Sequence, residues 1–223
     1  MTSGETDVTE LLTTETPPVT ARRALTRDKL MSAATIVFAE RGIIGASVEE
    51  ICEAAGFTRG AFYSNFADKD DLVLALIQHR IATQYAAAEQ SIGQMKTAPE
   101  GLSPEQLVSY ALTEFETAGR SGRETVLTQQ ELLLYAARQP SLREPYLAFA
   151  DACSKQLSVL IADAMAFTEL EFTLPYADAI ELLTATHSHL HLQSLFTGEL
   201  DSHLLHALLM AITRPVRAPG TPE

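Results

Sequence analysis

Residues 47–66 read SVEEICEAAGFTRGAFYSNF and residues 67–72 continue as ADKDDL; this stretch decides the fold. Ser47 is placed as a helix N-cap, with Glu49 and Glu50 in the first turn, where the positive end of the helix dipole favours carboxylates. Val48, Ile51, Cys52 and Ala55 recur at helical spacing and make one apolar stripe. Gly56 ends that helix and supplies the positive φ that a tight turn needs. Thr58 then caps a second short helix, with Phe57, Ala61, Phe62 and Phe66 available for a core and Thr58, Arg59, Gly60, Tyr63 and Ser64 on the outer side. Gly60 lies inside this helix, where glycine costs up to ~1 kcal/mol against alanine. Clearance for something that approaches the outer face is a reason for it to persist. Two short helices joined by a glycine turn, behind a longer amphipathic helix, predict a helix-turn-helix. The second of them is short enough for a DNA major groove, and its outer residues are small or polar enough for close approach.

Working outward, Thr26 is read as the N-cap of the preceding helix, whose inner face carries Leu30, Ala33, Ala34, Val37 and Phe38 and whose end is flanked by Gly42 and Gly45. Asp68 caps a fourth helix that runs through Leu72 and Leu76 to near Met95. A Pro99/Gly101 loop follows, then a fifth helix with Ser103 as N-cap and Pro104 at its first position, ended by Gly119 and Gly122. Residues 123–138 make a sixth helix closed by Pro140, and a seventh runs from Ser141 to near Phe167. The eighth follows Pro175 and ends at Gly198; Asp201 caps the ninth, which Arg214-Pro215 ends. No run alternates strictly enough to read as a strand. The expectation is an all-α chain of about nine helices, an N-terminal three-helix helix-turn-helix followed by a helical bundle. Residues 1–22 and 216–223 read as tails, the first acidic, rich in threonine and disordered.

Composition fits a globular protein: 223 residues, 46% hydrophobic and 20% charged, without tryptophan. Cys52 and Cys153 are too few for a disulfide framework and lack metal spacing, so they read as small buried hydrophobes in a reducing compartment. No apolar run reaches the ~18–20 residues of a membrane span, and the N-terminus lacks a secretory pattern. Both readings point to the cytoplasm. The net charge of −13 argues against a nucleic-acid partner until its distribution is considered. Residues 1–20 hold four acids and no base, residues 21–80 balance eight bases against eight acids, and the remainder holds eight bases and seventeen acids. Arg22, Arg23, Arg27 and Lys29 cluster at the start of the balanced segment, so an acidic body stands behind a locally basic head.

From Ser47 to Leu72 the string closely resembles the DNA-binding signature of the TetR (tetracycline repressor) family, and the likeness covers about residues 25–76. The family pattern runs from a Thr or Ser cap through Ile-Ala-x-x-Ala-Gly-Val-Ser to Gly-x-x-Tyr-x-x-Phe and Lys-Glu-x-Leu. This chain departs from it at Cys52, where alanine is usual, and at Asn65, where histidine or tyrosine is frequent. The resemblance implies that Ser47, Tyr63 and Lys69 hold phosphates, and that Thr58, Arg59, Gly60, Ala61, Ser64 and Asn65 face base edges. Arg59 is then the best candidate for a bidentate guanine contact. Arg22 and Arg23 are candidates for reaching the DNA backbone or minor groove. It implies a DNA-binding domain over residues 23–83 and an effector-binding and dimerisation domain over residues 84–215. The implied partners are double-stranded DNA carrying a palindromic operator, a second copy of the chain in a homodimer, and a small-molecule effector, with no membrane. The implied function is a transcriptional regulator, a repressor released by its effector; an activator, or a ligand-binding protein that has lost DNA binding, are the alternatives.

For the effector pocket the candidates are Tyr110, Phe115, Tyr135, Tyr146, Phe149, Met165, Phe167 and His187, against the plainer reading that aromatics at helical spacing are core. For the dimer face they are Leu182, Leu183, Leu190 and Leu195 of the eighth helix with Leu204, Leu205, Leu208, Leu209 and Ile212 of the ninth. His187 and His191 stand i, i+4 near His189, with His203 and His206 on the next helix. That spacing can chelate a metal, but no cysteine or acidic ligand is close in sequence, so a seam or pocket role is expected rather than a metal site. No cofactor is expected. No nucleophile elbow, phosphate loop or HExxH pattern supports an enzyme, and none is expected.

Overall fold

The computed structural model describes residues 21–118 and 122–216. Nearly all of both expected tails, and Gly119, lie outside them. Nine helices are present among the described residues: α1 (Ala21–Gly45), α2 (Val48–Ala55), α3 (Arg59–Tyr63), α4 (Lys69–Lys96), α5 (Pro104–Ala118), α6 (Arg123–Arg138), α7 (Pro140–Thr168), α8 (Tyr176–Thr197) and α9 (His203–Ile212). The chain is all-α, and no described helix is long and apolar enough to cross a membrane.

Several helix ends follow the capping logic of the sequence. Ser47 closes a full capping box: its Oγ accepts from the Glu50 N–H, and the Glu50 carboxylate accepts from the Ser47 N–H at 2.9 Å. Those hydrogen bonds, led by the Ser47 backbone, hold the Glu50 carboxyl below its ordinary range. Asp68 and Asp71 reciprocate at the start of α4, where Asp68 accepts from the Asp71 N–H at 2.8 Å and Asp71 accepts from Ala67 at 2.9 Å. Ser103 and Gln106 do the same for α5. Asp201 accepts from the His203 N–H at 2.9 Å.

Two expectations need correction. Thr26 does not cap α1. The good helix formers before it carry the helix back to Ala21, and the Thr26 hydroxyl donates to the Arg22 carbonyl within it. Strands also exist: β1 (Leu170–Phe172) pairs antiparallel with β2 (Thr213–Pro215), Leu170 opposite Pro215 and Phe172 opposite Thr213. Three residues are too few for alternation to stand out from helix-flanking sequence.

The described residues divide into two compact units: 21–82 with 122–153, and 83–118 with 154–216. In the first unit, Leu30, Ala34, Phe38, Ile43, Ile51, Cys52, Phe62, Phe66, Leu72 and Leu76 form one buried core, joined by Leu132, Tyr135, Ala136 and Leu142. Helix α6 therefore belongs to the same packed body as the helix-turn-helix. Arg80 of α4 donates to Gln129 of α6 through Nε and Nη2, and further hydrogen bonds fasten α6 there. Thr128 donates to the Thr35 carbonyl at 2.6 Å, Glu131 accepts from the Ile43 N–H at 3.2 Å, and Tyr135 donates to Asp70 at 2.7 Å. The Glu131 carboxylate lies where a side chain at Gly42 would reach, and Gly42, at φ +69°, breaks α1 there.

In the second unit, α8 and α9 pack together and α9 meets α5. Ser109 and the His206 Nε2 are 2.8 Å apart, Ser91 donates to the Ala111 carbonyl, and Lys96 pairs with Asp163.

Candidate nucleic-acid interface

The turn between α2 and α3 is built as the sequence suggests. Gly56 is left-handed at φ +70°, its N–H returns to Glu53, and the Phe57 N–H returns to the Cys52 carbonyl at 2.9 Å. Thr58 caps α3 by accepting from Ala61 at 3.2 Å. Phe62 and Phe66 are fully buried, their ring centroids 5.6 Å apart, and they fix the inner face of α3 against α1 and α2. This burial leaves Thr58, Arg59, Gly60, Tyr63 and Ser64 on the exposed side, with Ala61 half-buried. Tyr63 stands edge-on to Phe62 at 5.3 Å, so its ring is braced while about half of the residue remains exposed. Gly60 meets no tight neighbour, the nearest atom to a Cβ there being Thr58 Oγ1 at 3.7 Å. Nothing inside the protein requires glycine at this position.

Two of the expected site residues are turned inward. Asn65 is only 8% exposed, its Nδ2 donates to the Ala61 carbonyl at 2.8 Å, and its Oδ1 is buried without a partner. It follows the Ser64 C-cap and turns back into the core with Phe66 rather than facing outward. Lys69, expected on a phosphate, sends Nζ to the Ile43 and Ala46 carbonyls at 2.7 and 3.0 Å. It thereby ties the start of α4 to the end of α1. Ser47, half-buried, spends its hydroxyl on Glu50, donating at 2.9 Å as well as accepting.

Four contributors were not legible in the sequence. Arg27 donates to the Asn65 carbonyl at 2.7 Å and stacks over Phe66 at 4.2 Å, clamping the end of α3 from α1. Burial lowers its pKa. Glu49 holds the Arg59 guanidinium at 2.7 Å, across from Tyr63 at 5.8 Å. Glu131 and Asp70 link α6 to the head as described above. Each of these pairings spans from ten to nearly ninety residues, and no local spacing signals them. Burial raises the Cys52 thiol above its ordinary range, as a small buried hydrophobe requires.

The effector candidates divide between the units. Tyr135 is buried in the core of the first unit and Tyr146 packs against that core, so these two serve packing there rather than a cavity; Phe149 is buried in the same unit. Tyr110 and Phe167 are exposed on the second unit, and Met165 is half-buried. Phe115 lies 5.2 Å from the His187 ring, and His187 Nε2 is 3.1 Å from that of buried His191, so one of the two nitrogens donates and the other accepts. Among the described residues, no group of three or more His, Cys, Asp or Glu is arranged to hold a metal ion. A half-open cleft of ≈ 410 Å³ in the second unit is lined by Ser154, Lys155, Ser158, Ala177, Ile180, Glu181 and Thr184. None of the expected aromatics borders it.

On α8, the exposed residues include Leu182, Ala185, His189, Leu192 and Phe196, at alternating intervals of three and four. Leu190, Leu205 and Ile212 of the expected dimer face are instead buried within their own unit, Leu183, Leu195, Leu208 and Leu209 are half-buried, and Leu182 and Leu204 are exposed.

A helix-turn-helix head with an outward, polar, glycine-bearing second helix, on a helical body, defines the class. Residues 30–76 match the family model described as bacterial regulatory proteins, tetR family. Over those residues the chain is similar to that family. It is 26% identical over 115 residues to the HTH-type transcriptional repressor KstR2 of Mycolicibacterium smegmatis, covering 52% of this chain and 54% of that protein. With the HTH-type transcriptional regulator TcmR of Streptomyces glaucescens it shares 28% over 167 residues, 73% of this chain and 71% of the other. With the repressor BepR of Brucella suis it shares 44% over 57 residues, 26% and 27% of the two chains. The matched stretch thus spans about half of the first of these relatives and about a quarter of the last. Among solved structures, the fold resembles Bacillus subtilis FadR in complex with stearoyl-CoA (TM-score 0.60, 18% identity, 82% and 94% covered). It also resembles a TetR-family regulator of Agrobacterium tumefaciens (TM-score 0.59, 17%, 86% and 100% covered).

Proposed function

We propose that the chain is a sequence-specific, DNA-binding transcriptional regulator that works as a homodimer on a palindromic operator. The observation that carries this reading is the division of α3. Its aromatic side is buried against α1 and α2, while Thr58, Arg59, Gly60, Tyr63 and Ser64 remain exposed. A helix whose outer side is small, polar and cationic suits a major groove, and Gly60 gives clearance that the protein's own packing does not use. Arg59 is the base reader, Thr58 and Ser64 flank it, and Tyr63, with the remaining N–H of Lys69, serves phosphates.

Residues 23–83 form the reading head and residues 84–215 the body that binds the effector and the second copy. The exposed three-and-four stripe of α8 is the dimer seam. The effector site lies in the body, with Phe115 and His187 as its leading candidates. Repression follows from occupancy alone: a dimer seated over a promoter blocks it, and an effector that favours a different head spacing releases it. The curated relatives named as repressors favour this direction over activation. No enzymatic chemistry is proposed for any of these groups.

The test is recovery of genomic fragments by purified full-length protein, beside Arg59→Ala. The expected result is one enriched palindromic site, with preference at one base step reduced about ten-fold in the variant. Failure of the wild type to enrich any sequence overturns the reading.

A further inference from the structure

Glu49 is a carboxylate on the side of the head assigned to DNA, where it opposes binding to a polyanion. Glu50, its neighbour, is accounted for by the capping box. Glu49 makes no cap, is 55% exposed, and directs Oε1 to the Arg59 guanidinium at 2.7 Å. Arg59 is itself 61% exposed and is the first residue of a five-residue helix. The guanidinium is bounded on one side by Glu49 from α2 and on the other by the Tyr63 ring one turn along α3, at 5.8 Å. An exposed ion pair adds little to stability. Its consequence lies in what Arg59 does when it is held.

Resting on the DNA-binding reading above, we propose that Glu49 is a specificity-determining residue that keeps Arg59 from binding phosphates indiscriminately and releases or shares it only over the correct base step. The chemistry has two parts. A free arginine on this side neutralises a phosphate of any sequence, because the backbone contact is electrostatic and sequence-blind. An arginine that stays paired through Nη1 keeps its other N–H groups for the O6 and N7 of guanine, while the carboxylate offsets its charge toward a phosphate, whose oxygens fit the same fork. The carboxylate, left at the groove, then accepts from a cytosine N4 amine and is repelled where no donor stands. The pair therefore lowers affinity for random DNA more than for the operator, which raises the ratio of the two. The plainer role for Glu49, favourable charge at the N-terminus of α2, supports stability alone and leaves that ratio unchanged.

The experiment uses the full chain, a randomised duplex library and equilibrium titration of the enriched site against a random duplex. It compares wild type, Glu49→Gln, Arg59→Ala and the double variant. Glu49→Gln is expected to enrich a broader set of sites and to bind the random duplex tighter, lowering the specific-to-random ratio about ten-fold. Its salt dependence on random duplex steepens by about 0.9 in the log–log slope, one additional phosphate neutralised. In the Arg59→Ala background the same substitution has a much smaller effect on the ratio. An unchanged ratio and slope in Glu49→Gln, with only a fall in Tm, overturns the proposal and leaves the regulator reading standing. A wild type that enriches no sequence overturns both.

Discussion

At Gly56 the backbone sits at φ +70°, and a Cβ placed there meets nothing within 4 Å. The requirement for glycine is therefore conformational, and Gly56→Ala is expected to destabilise the chain by about 1–2 kcal/mol through left-handed strain. Gly60 stands in a different position. It is helical, unstrained and open, so Gly60→Ala is expected to stabilise the fold by about 0.5–1 kcal/mol while weakening operator binding. Urea denaturation and duplex titration of the two variants check both signs; a Gly60→Ala protein that is more stable and binds DNA as before removes α3 from the groove. The sequence makes both glycines conspicuous, and it makes the outer residues Thr58, Arg59, Tyr63 and Ser64 readable because burial of Phe62 and Phe66 orients them. It misplaces Asn65, whose side chain turns back onto the Ala61 carbonyl at 2.8 Å while its own carbonyl accepts from Arg27, 38 residues away. Polar residues at helix ends carry no periodic signal, so which way they turn depends on a partner that only the tertiary fold supplies.

Most elements were legible because each has a start and a stop of its own: the Ser47, Thr58, Asp68 and Ser103 caps, the Gly56 and Gly198 ends, Pro140 at the first position of α7 and Pro175 before α8. The pairing of β1 with β2 was not, since register between segments more than forty residues apart has no local trace. Nor was the attachment of α6 to the head. Thr128, Glu131 and Tyr135 follow one another at intervals of three and four on one face of α6 and reach, in turn, Thr35, Ile43 and Asp70. The Tyr135–Asp70 bond has a measurable signature. Burial first, and then the hydrogen bond to Asp70, push the Tyr135 pKa up from 10.0 to about 12. A phenol whose folded pKa exceeds its unfolded one holds its proton longer in the native state, so its contribution is complete below pH 10.0 and declines between pH 10.0 and about 12. Tyr135→Phe is expected to lower stability by about 1 kcal/mol at neutral pH, and the gap to wild type is expected to narrow as pH rises through that window. Denaturation at pH 8, 10 and 11.5 tests this; a constant gap means that the hydroxyl is not what Asp70 anchors.

For the whole molecule, charge and exposed apolar surface point to the same arrangement. The excess of acids lies outside residues 21–80, so the segment proposed to meet a polyanion is the one whose charges balance. In the proposed dimer the exposed stripe of α8 is the expected joint. Leu182, Ala185, His189, Leu192 and Phe196 follow the three-and-four spacing of a helical seam, and Phe196 is 85% exposed. A phenylalanine left in water forgoes roughly 2 kcal/mol of burial, and a two-fold axis beside α8 recovers it twice, with the leucines adding to the same face. Leu192→Glu combined with Phe196→Glu places four carboxylates at such a seam and is expected to yield a folded monomer with unchanged helical circular dichroism. Because a palindromic operator presents half-sites about 34–36 Å apart, the monomer engages only one of them and loses most of its operator affinity, though its head is untouched. Sedimentation equilibrium of wild type and variant, followed by titration with a full operator and an isolated half-site, separates the two effects. A variant that still sediments as a dimer moves the joint away from α8, whereas a monomer that binds the full operator as tightly as the wild type shows that one head suffices.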